Sequence, residues 1–112
     1  MTTEPRLRAQ PENGPSRDDP SEDLLLTLLE EIESGSGTFL IVTRTTDPTG
    51  QTYAQALRRD DGTYIVEHRE GSPEQHYGTA AADLKAAQTL ITGWAFERPH
   101  WSDGVAWEPV ET

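Results

Sequence analysis

Large apolar residues recur with helical spacing in two stretches of the chain. Between residues 20 and 34 they fall at i, i+1, i+4, i+5 and i+8, which predicts an amphipathic helix with an acidic outer face. Residues 80–97 repeat the same period and predict a second helix, which Pro99 ends. Gly93 lies inside this helix at a cost of up to ~1 kcal/mol relative to alanine, which indicates that another group packs closely against it. The two apolar stripes are Leu24, Leu25, Leu28, Leu29 and Ile32, and then Leu84, Ala87, Ile91, Trp94 and Ala95.

The sequence also contains signals for the helix ends. Asp19, Pro20 and Glu22 supply a capping carboxylate, a proline at the first helical position and an acid at the third, which together predict the start of the first helix. Gly35 is typical of the residue that follows a helix. Asp83 marks the start of the second helix.

Between the two helices, residues 38–45 are rich in β-branched residues, and turn residues separate the segments that follow, which predicts antiparallel strands. Residues 38–45 form the first predicted strand, and residues 52–69 form a hairpin around Asp61 and Gly62, interpreted as a two-residue type I′ turn. Residues 74–78 add a short returning strand, and the segment around Trp107 adds a final one, which Pro109 assigns to a sheet edge. The core face that this turn predicts for the hairpin consists of Tyr53, Leu57, Tyr64 and Val66.

We therefore predict an α+β fold in which an antiparallel meander of four to five strands carries two helices on one face. Residues 1–18 hold three prolines and, after Met1, one large aliphatic residue. Such a segment buries too little apolar surface to offset its ordering entropy, so we predict a disordered acidic tail followed by a single domain over residues 19–112.

Charge narrows the classes of partner. Nine basic and twenty acidic residues give a net charge of −11, which argues against binding to nucleic-acid phosphates. Acidity serves solubility, and it also steers a protein toward a basic partner protein. The chain has no cysteine, no apolar run long enough to cross a bilayer and no apolar core of a secretory signal, so we expect a cytoplasmic monomer or weak dimer without membrane contact.

The strongest candidate site lies at the polar end of the hairpin and the strand that follows it. If residues 70–74 form a symmetric connection between the two strands, His68 lies opposite His76. These two histidines and the carboxylate of Glu74 would then be able to bind one metal ion. The alternative is a polar hairpin end whose ion pairs are individually weak. Trp101, beside a proline in a predicted loop, is a candidate exposed anchor for a partner. We predict a binding site without metal or cofactor, formed by Glu67, His68, Arg69, Glu70, His76 and Trp101.

Catalytic signatures are weak in this sequence. It has no nucleophilic cysteine and no Gly-x-Ser-x-Gly elbow, and Gly35-Ser36-Gly37 precedes a strand rather than a helix, which makes it a poor phosphate cradle. Carboxylates are so frequent in this composition that no pair of them indicates acid and base catalysis. We therefore predict no catalytic residue and no enzyme activity.

Three motifs stand out in the second half of the chain: the run YIVEHREGSPEQHYGT, the GWA that closes the second helix, and WSDGVAWE. Through these motifs, about half of the chain resembles a family of small acidic proteins from streptomycetes and related actinobacteria. The most specific residues of the resemblance are Glu67 to Gly71, His76, Tyr77, Trp94 and Trp107. It implies no activity and assigns no catalytic residue. The order of meander, late helix and tryptophan-bearing last strand is also similar in layout to immunity proteins of polymorphic toxin systems, which neutralise a toxin by binding it.

These observations lead us to expect a non-catalytic protein-binding module, with neutralisation of a toxin as its immunity-like form. Two alternatives stay open at this point. One is a small metal-dependent or ligand-binding enzyme that uses the histidine and carboxylate cluster. The other is a structural or regulatory domain whose acidity only keeps it soluble.

Overall fold

The structure, a computed structural model, describes residues 4–110. Within that range it is α+β, with one antiparallel sheet of seven strands and two helices, so the fold class is confirmed and the predicted strand count is too low. The helices are α1 (Glu22–Glu33) and α2 (Leu84–Ala95). The strands are β1 (Leu7–Pro11), β2 (Arg17–Asp18), β3 (Phe39–Arg44), β4 (Thr52–Arg58), β5 (Tyr64–Glu70), β6 (His76–Ala81) and β7 (Glu108–Pro109).

The strand order in the sheet is β2-β1-β3-β4-β5-β6-β7, so most neighbours in space are also neighbours in sequence. Side chains alternate between the two faces of each strand. One face packs against both helices in a single apolar core; we call the other, which neither described helix covers, the open face. The largest fully buried side chains of the core are Tyr64, Leu25, Leu29, Leu40, Ile91, Val42 and Val66.

Residues 7–18 are not a disordered tail. Leu7 and Ala9 alternate with exposed residues in β1 and join the core, and β1 pairs with β3 from Leu7 to Pro11. The Asp19 carboxylate accepts hydrogen bonds from the main-chain N–H groups of Arg6 (2.8 Å) and Leu7 (3.1 Å). The segment is ordered by its ladder hydrogen bonds and by the buried side chains of Leu7, Ala9 and Pro11, of which a count of large aliphatic residues includes only the first. Residues 1–3 of the predicted tail lie outside the described range.

Because Asp19 is used in this way, it is not the cap of α1. Ser21 occupies that position, with extended backbone, and its hydroxyl accepts from the Leu24 N–H at 3.1 Å. The predicted apolar stripe of α1 is confirmed, since Leu25, Leu28, Leu29 and Ile32 are all buried. Asp83 caps α2 as predicted and accepts from the Ala86 N–H at 2.9 Å.

The central hairpin has the predicted strands but not the predicted register. Arg58 pairs with Tyr64, and the Gly62 N–H donates to the Arg59 carbonyl at 3.0 Å, so the loop has three residues rather than two. Gly62 has a φ of 87°, as expected for a type I turn closed by a left-handed glycine. A one-residue slip moves every side chain of one strand to the opposite face relative to its partner strand. Tyr64 and Val66 therefore lie in the core, while Tyr53 and Leu57 lie on the open face.

The last elements differ from prediction mainly in length. A single 3₁₀ turn, Pro73–Gln75, replaces the start of the predicted strand 74–78, and β6 continues to Ala81, so α2 begins four residues later than expected. The final strand β7 lies at the sheet edge as Pro109 indicated. Neither helix of the described part is long and apolar enough to cross a membrane.

Candidate functional site

The sheet separates the predicted binding residues into two groups. Cα register sets His68 opposite Tyr77 and Arg69 opposite His76. Because side chains alternate along a strand, His68 and Glu70 face the helices, while Glu67, Arg69 and His76 face the open side. Trp101, from the loop after α2, joins the helix-side group.

This register rules out the two-histidine metal site that the sequence allowed. His68 and His76 lie on opposite faces of the sheet, so they cannot share an ion. Among residues 4–110, no group of three or more His, Asp or Glu side chains is arranged to hold a metal. The predicted register across residues 70–74 was therefore wrong by one residue, as was the predicted register of the hairpin.

On the helix side, an open depression with a volume of about 410 Å³ lies between the sheet and the end of α2. We call it the His68 cleft. Strand β3 supplies its arginine, β5 its histidine and one carboxylate, and α2 with the following loop its two tryptophans and a second carboxylate. Its lining residues are Arg44, His68, Glu70, Trp94, Glu97 and Trp101.

Glu70 is held in this cleft by two donors on one oxygen. The Trp94 indole N–H donates to Glu70 Oε2 at 2.8 Å, and His68 Nδ1 lies 2.6 Å from the same oxygen. Burial acts to raise the pKa of Glu70, but the hydrogen bonds from His68 and Trp94 and the charge of Arg44 outweigh it and lower that pKa. Glu70 is therefore a carboxylate, His68 Nδ1 is the donor, and Glu70 Oε1 is left without either of these bonds.

Aromatic rings surround the buried His68 side chain. The ring centroids of Tyr77, Trp101 and Trp107 lie 5.5, 5.2 and 4.7 Å from that of His68, the two indoles nearly perpendicular to it. Trp101 is half-buried against this group, so it is not the exposed anchor that the sequence suggested. The Trp107 indole N–H is buried without a hydrogen-bond partner among the described residues.

Two features outside the predicted set complete the cleft. The Arg44 guanidinium carbon lies 4.4 Å from the centroid of the Trp94 ring, and its Nη2 donates to the Trp94 carbonyl at 3.0 Å. Gly93 lets the next element approach, because a Cβ there would lie 2.6 Å from Trp101 Cβ. This close contact confirms the prediction that something packs against Gly93.

The open-face group forms a separate hydrogen-bonded network. His76 Nε2 lies 2.6 Å from Glu67 Oε1, and Arg69 Nε donates to His76 Nδ1 at 2.9 Å. Arg69 also donates to the Gln51 side chain and lies over the Tyr53 ring, with its guanidinium carbon 5.4 Å from the centroid. The polar groups of this network largely satisfy one another, which is the arrangement of a structural cluster.

Next to that network the open face carries an apolar row that crosses four strands. The pairing ladder sets Phe39 against Leu57, Leu57 against Ile65 and Ile65 against Ala80. Leu57 is 38% exposed, the others are half-buried or exposed, and Ile41 extends the row on β3. We call Phe39, Ile41, Leu57, Ile65 and Ala80 the open-face row.

The loops at this end of the sheet are acidic. Glu12 lies beside the row, where its carboxylate accepts from the Thr38 N–H at 2.8 Å, and Asp60 and Asp61 form the exposed turn of the hairpin. Arg59 is the one cation in that turn. The apolar row is thus bordered by more negative than positive charge.

Sequence reasoning missed Arg44, Trp94 and Glu97 as site residues and assigned Leu57 to the core. Arg44 is the last residue of β3, whose other residues are β-branched or apolar. The alternation of side chains places this charged residue on the helix side of the sheet, and that was the signal available in the sequence. No comparable local signal existed for Trp94 and Glu97, because their partners are 24 and more residues away in sequence. Comparison with protein-family models, curated proteins and solved structures finds no match.

Proposed function

We propose that this chain is a non-catalytic protein-binding module that docks a basic partner protein on its open face. The observation that carries the proposal is the open-face row, an apolar band across four strands that neither described helix covers. Contiguous apolar residues on a protein surface, bordered by polar ones, are typical of interaction sites.

Charge selects the class of partner. The whole chain carries a net charge of −11, and the loops beside the open-face row carry Glu12, Asp60 and Asp61 against Arg59. A second copy of the chain would bring like charges together, which costs affinity, whereas a basic protein gains from the same field. We therefore assign the surface to a basic protein rather than to self-association.

Neutralisation of a toxin is the narrower form of this proposal. A toxin that acts on an anionic substrate presents a basic surface, and an acidic protein that covers this surface blocks access to it. The expected observation is that the wild-type chain restores growth to cells that express its toxin partner, whereas a chain with Leu57→Gln and Ile65→Thr does not. Equal protection by both chains would contradict a toxin-blocking role for the open face.

Photo-crosslinking in living cells tests where the partner docks. A photoreactive amino acid at position 65 lies in the open-face row, and the same amino acid at the exposed position 89 of α2 is the matched control. We expect position 65 alone to give one discrete product, with a basic protein identified by mass spectrometry. Equal products from both positions, or a product formed with a second copy of the chain, would overturn the proposal.

A further inference from the structure

The His68 cleft plays no part in docking on the open face, since it opens on the other side of the sheet. It combines aromatic walls with a small number of polar and charged groups, which is the usual composition of a small-molecule site. Its volume of about 410 Å³ falls within the range of such sites. The charges in its lining determine whether it accepts an anion or a cation.

The positive charge in the cleft is already neutralised. Arg44 lies over the Trp94 ring, donates to the Trp94 carbonyl at 3.0 Å and approaches Glu97 to 3.8 Å. Its side chain is 21% exposed, so an incoming anion would have to compete with these contacts. Arg44 is therefore a poor anion anchor.

The negative charge is more available. The Glu70 side chain is 41% exposed and uses only Oε2 for its two hydrogen bonds, while the Glu97 side chain is 71% exposed. With one arginine and two carboxylates, the lining carries a net charge of −1 when His68 is neutral, and the whole molecule carries −11. Both the local and the global field favour a cation.

The aromatic walls favour an organic cation over a metal ion. Trp101 lines the cleft and packs edge to face on Trp107, with ring centroids 5.7 Å apart. Ammonium groups that carry alkyl substituents are bound by tryptophan faces together with a nearby carboxylate. A hard metal ion needs several oxygen ligands, and the described residues provide no cluster of three.

We propose that the His68 cleft binds a small organic ammonium cation, with the Glu70 carboxylate as its counter-charge and Trp101 as its aromatic wall. His68 is a positioning residue, because its Nδ1–H and the Trp94 indole hold Glu70 Oε2 and so direct Oε1 to the ligand. Glu97 adds charge at the mouth of the cleft.

Tryptophan fluorescence tests this directly, because all three tryptophans of the chain lie in or beside this cleft. The probe is tetramethylammonium chloride, with sodium chloride at matched ionic strength as the salt control and sodium acetate as the anion control. We expect a saturable change with tetramethylammonium and none with the two sodium salts. A saturable response to acetate instead, or equal responses to all three salts, would overturn the proposal.

Two variants of equal charge locate the site. Glu70→Gln removes the counter-charge, and Glu30→Gln removes an exposed carboxylate of α1 from the opposite end of the helix layer. We expect the first to weaken tetramethylammonium binding about tenfold and the second to leave it within about twofold. Equal effects of the two substitutions would contradict a role for Glu70.

The wild-type protein provides a readout that does not depend on how the Glu70 variant folds. In a ¹⁵N spectrum, the three indole N–H signals are resolved reporters of the cleft. Tetramethylammonium is expected to shift the Trp101 signal more than the main-chain amides of α1. Shifts confined to α1, or uniform across the chain, would show that the cation binds the acidic surface and not the cleft.

Discussion

At the scale of single residues, the site depends on a glycine that helix propensity alone disfavours. Gly93 lies inside α2, where alanine would ordinarily be more stable by up to ~1 kcal/mol. Here a Cβ would lie 2.6 Å from Trp101 Cβ, so the glycine is what allows the loop after α2 to cover His68.

We predict that Gly93→Ala destabilises the protein by about 1 to 3 kcal/mol, as overpacking does. In a Trp101→Gly background the same change should be neutral or stabilising, because that substitution removes the Cβ with which the new side chain would clash. The double-mutant cycle is measured by urea denaturation. An equal cost in both backgrounds would show that the glycine serves some need of the helix other than contact with Trp101.

Glu70 gives a pH dependence whose sign follows from its lowered pKa. A carboxyl group with a folded pKa below its unfolded value stabilises the protein above the unfolded pKa, and this contribution is lost as the pH falls through the folded pKa. The groups that face it are His68, Arg44 and the Trp94 indole.

We therefore predict that Glu70→Gln lowers the free energy of unfolding at pH 7, and that the difference from wild type shrinks as the pH falls below about 5. Glu30→Gln is the matched control on an exposed helix face. Denaturant titrations at a series of pH values measure both. A difference that stays constant down to pH 3 would mean that Glu70 does not contribute through its charge.

At the scale of elements, the helices could be predicted because their apolar residues repeat over three turns, so one ambiguous position does not change the result. The hairpin was predicted as well, but its register could not be, since Asp60-Asp61-Gly62 fits both a two-residue and a three-residue loop. A one-residue slip reassigned Tyr53 and Leu57, and the open-face row was missed with them. The same parity error at residues 70–74 set His76 beside His68 in the prediction, whereas the structure sets Tyr77 there.

The first strand shows a different failure. Composition suggested disorder, yet Leu7 and Ala9 alternate with Arg8 and Gln10 as a half-buried strand should. The pattern was short and contained small residues, so a criterion based on large aliphatic side chains overlooked it. Order in β1 comes from its ladder with β3 and from the Asp19 carboxylate, both of which depend on distant parts of the chain.

A matched pair of substitutions tests this strand. We predict that Ala9→Asp costs more than about 2 kcal/mol, because it buries a charge in the core. Gln10→Asp, one residue along on the exposed side, should cost less than about 1 kcal/mol. The readout is the midpoint of urea unfolding. Equal small costs would indicate that the segment is not docked on the sheet in solution.

At the scale of the whole molecule, a second group of acidic residues lies on the side opposite the apolar surface. Helix α1 carries five acidic residues and no basic one on the helix layer, while the open-face row lies on the other side of the sheet. An acidic field of this kind increases the association rate of a basic partner, and apolar contacts at the interface lower its dissociation rate. The two surfaces would then act on different steps of one association.

The His68 cleft sits apart from both surfaces, and occupation by a cation would stabilise the end of α2 and the loop that follows it. Strand β5 contributes to both the cleft and the open face, and its successive side chains point to opposite sides of the sheet. Substitutions on this strand can therefore test the two sites independently. Ile65 belongs to the open face and His68 to the cleft.

The most direct test of the docking proposal is the affinity of the crosslinked partner for matched variants, measured by calorimetry at two salt concentrations. We predict that Leu57→Gln with Ile65→Thr weakens binding at least tenfold, while Thr27→Gln on the exposed face of α1 changes it less than twofold. Wild-type affinity should also fall as salt rises. Unchanged affinity in the open-face variant, or a loss equal to that of the α1 variant, would contradict docking on the open face.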